Sequence, residues 1–374
     1  MNLREFLSHA MVQLPIRHTG NDFHRFVATL LNDYLAALTS LTAPKHLTDP
    51  VFSRQKDIQH LCETLPKVVQ ASFSGHPQAA YQHFIEAISP LSDVVQKQAL
   101  ELSPVDLKLM YRVRRDSKGS LSREDMFHIP FELRHLVSTQ RYSVPGLPCL
   151  YLGGSLYTCW AEMGRPPFHE LHASAYWLDK DQLVRILNFS DRPRRLLFYV
   201  GLDGGVSNET PIVDLLSTHL ILWPLMALCS ICVKHINAAY KPEYMFPQLV
   251  LQWITKEHNY DGVCYFSTHV DAVTTTNVLA PCNLVFPVRS IQSTGRCDYL
   301  RTKFRLTEPH NWQLLSAINA GTGGGYIEGF DFEFLNGTKE PYAETEFGRV
   351  QSKLNKLAVE DIQHRDDGRG VVLA

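Results

Sequence analysis

The change in hydrophobic pattern near residue 105 restricts the fold of this chain more than any other feature. Before it, apolar residues recur at helical spacing, as in the series from Phe23 to Leu38 that follows the capping candidates Asn21 and Asp22. After it come short β-prone runs such as LKLMYRVR and CNLVFPV, separated by Gly, Pro, Asn and Asp. The sequence therefore predicts an α+β protein with a helical domain at 1–105, a mixed domain at 106–290 and an extension at 291–374.

Prolines and turn residues set the expected helix boundaries. A second helix through Ile58 and Leu65 is expected to end before Pro66, although Val68 and Val69 allow it to continue. A third helix is predicted between Pro77 and Pro90. Further helical patterns cover 155–163 and 247–258, and in the extension 312–318 and 346–362.

Composition and charge limit the classes of function. The chain has 374 residues, 45% of them hydrophobic, and 36 Lys and Arg stand against 38 Asp and Glu, for a net charge of −2. Such a balance argues against binding of nucleic acid or an anionic membrane. Arg4, Glu5 and His9 interrupt the unbroken apolar core that a signal peptide would need. The most apolar stretch, 220–233, is interrupted by Pro224 and is too short to span a bilayer. We therefore expect a cytoplasmic protein, and its eight scattered cysteines are expected to be reduced, buried thiols.

Two motifs invite a ligand interpretation that their spacing does not support. Cys229, Cys232 and His235 form C-x2-C-x2-H, but a closed zinc site needs a fourth ligand and no second pair lies nearby. Spacing of three instead predicts one face of a buried helix, so no metal is expected. The Gly-rich segment 321–326 lacks the Lys-Ser/Thr of a phosphate-binding loop and is predicted to be a turn or connector.

The segment 127–165 is the densest in chemically useful side chains. It combines His, Arg, Tyr, Trp and Glu with Gly and Pro turns, a mixture typical of a pocket. Arg141 could bind a phosphate, Tyr151 could stack on a flat ring, and Glu162 follows eleven residues later. Taken singly, each has an ordinary alternative: Arg141 at the surface, Tyr151 half-buried in a strand, and Glu162 paired with Arg165.

The order and spacing of these residues resemble the RES domain family. Arg141, Tyr151 and Glu162 fall where that family places its Arg, Tyr and Glu, and NYDGVCYFSTH resembles its closing motif, with Ser267 as the matching serine. The resemblance covers roughly residues 107–289. The chain departs from the family beside the arginine, where Gln140 and Ser143 stand in place of Gly and Asn, and at the later turn, where Asn259 replaces the first Gly.

The resemblance implies a fold like that of ADP-ribosyltransferases and an enzyme that consumes NAD by breaking its nicotinamide–ribose bond. The resemblance also implies a bacterial toxin held in check by an antitoxin, since many members of the family act in this way. Glu162 would stabilise the oxocarbenium-like transition state, since developing positive charge needs a nearby carboxylate. Arg141 would hold the pyrophosphate, Tyr151 would pack on the nicotinamide or its ribose, and Ser267 would hydrogen-bond the substrate. NAD is then a substrate and not a bound cofactor.

The acceptor and the partners stay open at this point. Water, inorganic phosphate and a macromolecule are all candidate acceptors, and the family ranks phosphorolysis or hydrolysis above ADP-ribosylation of a macromolecule. A catalytically inactive module that binds a nucleotide or protein is the alternative. We also expect an antitoxin or other regulatory protein and a homo-oligomer, for which 1–105 offers a surface. The basic run Arg112, Arg114 and Arg115 is interpreted as a solvated strand end, not as a nucleic-acid site.

Overall fold

The computed structural model describes residues 1–106, 108–116, 121–257, 259–270, 272–275, 281–317, 330–335 and 338–366. The chain divides into two compact units. The first comprises Met1–Leu100, Thr139–Val144 and Leu187–Tyr260, and the second comprises Glu101–Ser138, Pro145–Ile186 and Asp261–Ala374. Both units are discontinuous in sequence, unlike the three contiguous domains expected from the sequence, whose boundaries stay a prediction.

The α-helices of the described chain are α1 (Leu3–Ser8), α2 (Phe23–Thr39), α3 (Lys45–Phe52), α4 (Gln55–Phe73), α5 (Pro77–Ile88), α6 (Ser92–Lys97), α7 (Leu156–Glu162), α8 (Pro193–Leu196), α9 (Thr210–Cys229), α10 (Met245–Glu257), α11 (Asp298–Lys303), α12 (Trp312–Ala317) and α13 (Glu346–Asp366). The strands are β1 (Ala99–Leu102), β2 (Met110–Arg115), β3 (Cys149–Gly153), β4 (Leu171–Leu178), β5 (Val184–Phe189), β6 (Gly262–Phe266), β7 (Ala272–Thr275), β8 (Cys282–Pro287), β9 (Phe304–Leu306), β10 (His310–Asn311), β11 (Phe330–Leu335) and β12 (Thr338–Pro341).

The first unit is built from helices, beginning with α2. Asp22 caps α2, because its side chain accepts a hydrogen bond from the backbone N–H of Arg25 at 2.9 Å. The apolar stripe from Phe23 to Leu38 is buried, as the helical spacing predicts. Within this core the ring of Tyr34 stacks on Trp223 of α9, with centroids 4.2 Å apart.

Helix α9 runs through the core of the first unit. It is the one helix of the described chain that is long and apolar enough to cross a membrane by length and composition, with a mean hydropathy of 1.8. Of that apolar window, 78% is buried inside the structure, a burial typical of a core helix. The expected interruption at Pro224 is wrong, because the helix continues to Cys229. Helix α4 likewise continues past Pro66.

The C-x2-C-x2-H motif does not lie on one helical face. Helix α9 ends at Cys229, Cys232 is half-buried in an isolated bridge with Arg17, and His235 is exposed. The prediction of a single buried helix for the three residues is therefore wrong. Among the described residues, no group of His, Cys, Asp and Glu is arranged to hold a metal ion. All eight cysteines are free thiols, and all but Cys232 are buried, as expected.

The second unit is organised around antiparallel strands in the order β6-β8-β3-β2-β4-β10, with β9 also paired to β4. A smaller sheet has the order β12-β11-β7. An aromatic cluster around Trp312 and Phe347 packs α7, α12 and α13 against the larger sheet. A helical first unit and a second unit whose strands pair mainly antiparallel make this an α+β protein, as the sequence predicts.

Candidate functional site

Helix α7 carries Glu162 as its last residue. Ser155 caps its start, since its hydroxyl accepts a hydrogen bond from the backbone N–H of Thr158 at 3.2 Å. Gly153, at the end of β3, lets the helix lie close, because a Cβ there would come within 2.6 Å of the Cys159 sulfur. Gly164, at a φ of +78°, ends the helix in the left-handed region that glycine favours. The cap at Ser155 and the glycine at 164 thus determine that the helix ends at Glu162.

Strands β6 and β8 bring the side chains of Ser267 and Asn283 close to Glu162. Their antiparallel register sets Tyr265 opposite Asn283, and Ser267 follows directly after β6. Gly262 opens β6, and a Cβ there would come within 2.3 Å of the Val285 carbonyl oxygen. The Asp-Gly turn of the closing motif therefore has a steric reason: only glycine allows β6 to approach β8 this closely.

Ser267 and Asn283 both donate hydrogen bonds to one oxygen of Glu162. The Ser267 hydroxyl lies 2.5 Å from Oε1, and the Asn283 amide nitrogen lies 2.8 Å from the same atom. The two donors are buried, with exposures of 0% and 7%, whereas Glu162 is exposed. The backbone N–H of His269 in turn donates to the Ser267 hydroxyl at 3.0 Å. One carboxylate oxygen is thus fixed by the protein, on a residue that solvent can reach.

The expected alternative for Glu162, an ion pair with Arg165, is not what the structure has. The Arg165 guanidinium instead lies over the ring of Trp160, 5.7 Å from its centroid. The carboxylate of Glu162 is held by neutral donors. Among the described residues no cation forms an ion pair with it, so its charge is oriented by these two donors without being neutralised.

Tyr151 lies on β3 beside this group. It pairs with Val285 of β8, two residues from Asn283, so the alternation of a strand puts Tyr151, Tyr265 and Asn283 on one face of the sheet. Burial raises the pKa of the Tyr151 phenol well above its ordinary value, and the neighbouring Cys149 thiol and Tyr265 phenol act in the same direction. Tyr151 is therefore a neutral phenol at physiological pH.

Arg141 belongs to the first unit. Its Nη1 donates to the carbonyl oxygens of Cys229 and Ile231 at 3.3 and 2.8 Å, and its guanidinium lies 5.3 Å from the ring centroid of Tyr244. The structure brings Glu162 and Ser267 into contact and places Tyr151 on the neighbouring strand. It shows Arg141 bonded to main-chain oxygens of its own unit, and its assignment to a phosphate stays a prediction.

Sequence reasoning missed Asn283 and misinterpreted the basic run on β2. Asn283 was part of the predicted strand CNLVFPV, where a lone amide among apolar residues was the available signal. The interpretation of Arg112 and Arg114 as a solvated strand end is wrong. Both are half-buried and donate to the carbonyl oxygens of Tyr151 and Asp125, and Arg115 alone is exposed. The Gly-rich segment 321–326 lies outside the described residues.

Comparison with known proteins gives one informative relative. The chain is 30% identical over 348 residues to a protein of Bacillus subtilis (strain 168) whose name is "Putative toxin YopC". The match covers 91% of this chain and 78% of that protein. No family model matches the chain, and no solved structure matches it.

Proposed function

This chain belongs to the family of the Bacillus subtilis protein YopC, and on that premise we propose that it is a toxin whose second unit breaks the nicotinamide–ribose bond of NAD. The observation that carries the proposal is the Glu162 carboxylate, exposed itself and held at Oε1 by the buried donors Ser267 and Asn283. The fold proposed for this unit is that of an ADP-ribosyltransferase-like RES domain.

The chemistry needs a carboxylate held in this way. As the bond between ribose C1″ and the ring nitrogen breaks, nicotinamide leaves with the bonding electrons as a neutral molecule, and positive charge grows on the ribose. A carboxylate oriented beforehand stabilises that charge without reorganising during the step. Because nicotinamide departs from a cationic ring, no general acid is required, and one catalytic carboxylate is sufficient.

The neighbouring side chains support binding of the same ligand. Tyr151 and Tyr265, on the face of Asn283, offer aromatic surface for a planar nicotinamide ring. We assign the pyrophosphate to Arg141 from the resemblance alone. NAD acts as substrate, with inorganic phosphate or water as the acceptor, in a cytoplasmic setting and under an antitoxin or other regulator.

The acceptor decides the product. Attack of water on C1″ gives ADP-ribose and releases a proton, whereas attack of a phosphate oxygen gives ADP-ribose-1″-phosphate. The purified full chain would be incubated with NAD, with and without phosphate, and the products identified by mass spectrometry. We expect nicotinamide in both reactions and the 1″-phosphate where phosphate is present.

Matched variants assign the activity to the site. Glu162→Gln keeps the size of the side chain and removes its charge, and we expect it to lower the rate roughly 10²- to 10³-fold. Glu170→Gln is the control, because Glu170 lies in the same unit but pairs with Arg115 at the surface. ADP-ribose attached to protein would identify a macromolecular acceptor. Intact NAD with folded protein would contradict the proposal.

A further inference from the structure

Helix α7, which carries Glu162, is too short to be stable by itself. It has seven residues, and an isolated helix shorter than about 12 residues is marginal in water. The N–H groups of its first turn have no acceptor within the helix, as in every α-helix. Because Glu162 is its last residue, the position of the carboxylate depends on the contacts that hold this first turn.

The C-terminal extension supplies acceptors for two of these N–H groups. The side-chain Oε1 of Gln351, on α13, accepts a hydrogen bond from the backbone N–H of Leu156 at 2.9 Å. Burial raises the pKa of the Tyr342 phenol well above its ordinary value, whereas a hydrogen bond from the backbone N–H of Tyr157 acts in the opposite direction. With the cap at Ser155, the first three N–H groups of α7 all have side-chain acceptors.

Gln351 and Tyr342 are also bonded to each other. The Tyr342 hydroxyl donates to Oε1 of Gln351 at 2.8 Å, and both side chains are buried. Both partners of Oε1 are therefore donors, and an apolar side chain at this position would leave them without this acceptor. Gly348 lets α13 lie against the Tyr342 turn, because a Cβ there would come within 2.1 Å of the Tyr342 carbonyl oxygen. The fold of the extension thus holds the pair in place.

A fixed first turn determines where the Glu162 carboxylate lies. Glu162 follows Leu156 by six residues, which is about 9 Å along an α-helix. Apolar packing has no preferred direction and allows a helix to slide and rotate slightly, whereas hydrogen bonds to its first N–H groups are directional and restrict both movements. A movement of the first turn would carry the carboxylate away from Ser267 and Asn283, whose donors lie 2.5 and 2.8 Å from Oε1.

We propose that Gln351 and Tyr342 are positioning residues, which act through the first turn of α7 to hold the Glu162 carboxylate where it stabilises the transition state. This inference rests on the proposed function and deepens it, because it gives the C-terminal extension a part in the reaction. Both residues lie outside the range 107–289 that resembles the RES family, so this support of the catalytic helix belongs to the additional length of this chain.

Hydrogen exchange, measured by mass spectrometry, and steady-state kinetics of the full chain test this assignment. Gln351→Leu removes the acceptor, and we expect the α7 amides to exchange roughly tenfold faster. We expect its kcat for NAD cleavage to fall roughly 10- to 100-fold, with KM within about twofold. Gln351→Glu keeps a side-chain oxygen and adds a negative charge, which a helix N-terminus favours, so its kcat should stay within about threefold of the parent. The control is Glu346→Ala on the same helix, because Glu346 bonds to Trp312 and Ser316 of α12, and its kcat should stay within about twofold.

The outcomes separate this inference from the proposed function. An unchanged kcat in Gln351→Leu, or an equal loss of kcat in Glu346→Ala, would overturn the inference and leave the NAD reaction intact. Faster exchange confined to α7 in Gln351→Leu, with a parent that does not cleave NAD, would support the anchoring of α7 and contradict the reaction. Should Gln351→Leu fail to fold, as judged by circular dichroism, Tyr342→Phe decides, because it removes only a hydroxyl. A kcat roughly three- to tenfold below the parent is then expected, and an unchanged kcat would overturn the inference.

Discussion

The two units of this protein share one use of buried polar side chains and differ in another. In both units such side chains hold the main chain, as Tyr34 donates to the Leu220 carbonyl in the first and Tyr176 to the Met126 carbonyl in the second. In the second unit, Ser267 and Asn283 also hold the carboxylate of an exposed residue. Fixing a charged group at the surface adds little stability. For this reason we place the proposed chemistry in the second unit.

The largest effect on stability is expected from acid, and it acts on both units. Burial lowers the pKa of His219 in the first unit and of His128 in the second to about 4. Each histidine is neutral when folded and takes up a proton on unfolding below about pH 6.5, so its contribution is complete above that pH and is lost as the pH falls toward 4. We expect up to about 3 kcal/mol of the unfolding free energy to disappear for each histidine.

Urea unfolding at pH 7 and pH 4.5 measures this loss. Neither ring nitrogen of His219 has a hydrogen-bond partner in the part of the chain that the structure describes, so His219→Leu removes a titrating group without removing a hydrogen bond. The variant should lose less stability in acid than the parent. His128 is different, because its Nδ1 lies 2.7 Å from the Ile129 carbonyl and its Nε2 accepts from the Cys297 N–H. A pH dependence identical in the parent and in His219→Leu would contradict the assignment.

The next prediction concerns Asn283, which sequence reasoning did not single out. Asn283→Ala removes one of the two donors to Glu162 Oε1, so the carboxylate is less well oriented. We expect kcat for NAD cleavage to fall roughly 10- to 100-fold with little change in KM, because the interaction matters most in the transition state. Asn283→Asp, which sets a second negative charge beside Glu162, should be worse. An unchanged kcat in both variants would exclude a positioning role.

Arg141 gives the smallest expected effect and the sharpest comparison between the units. Arg141→Ala removes the bonds to the carbonyls of Cys229 and Ile231, so we expect the unfolding free energy to fall by about 1–2 kcal/mol. If Arg141 also binds the pyrophosphate, as the resemblance implies, KM for NAD rises at least about tenfold. Urea unfolding and steady-state kinetics on the same variant separate the two roles. A change in neither would leave Arg141 without the function that either account gives it.

Local signals in the sequence were sufficient for much of the fold. The Asp22 cap, the stripe on α2 and the helix at 156–162 follow from side-chain spacing and capping, which act within a few residues. The prolines misled at Pro66 and Pro224. A proline inside a helix destabilises it by about 3 kcal/mol. In α9 the residues around Pro224 are all buried, and this burial, which sequence spacing does not show, offsets the loss.

The site was only partly predictable, because some of its contacts join residues that are distant in sequence. Glu162 and Ser267 were found by resemblance, but the bond from Asn283 to Glu162 spans 121 residues and depends on the register of β6 and β8. Arg112 looked like a surface residue because a basic run at a strand end is ordinarily solvated. Its Nη1 donates to the Tyr151 carbonyl, 39 residues away, and no pattern within β2 records that contact.

In the reaction that we propose, the exposed Glu162 carboxylate, held by two buried donors, drives cleavage of NAD. Its most direct test is the release of nicotinamide from NAD, followed by proton NMR for the parent, Glu162→Gln and Glu170→Gln under identical conditions. The account predicts nicotinamide in equal amount to the NAD lost for the parent and Glu170→Gln, and a rate lower by roughly 10²- to 10³-fold for Glu162→Gln. Equal rates in all three, or no nicotinamide from the folded parent, would contradict it.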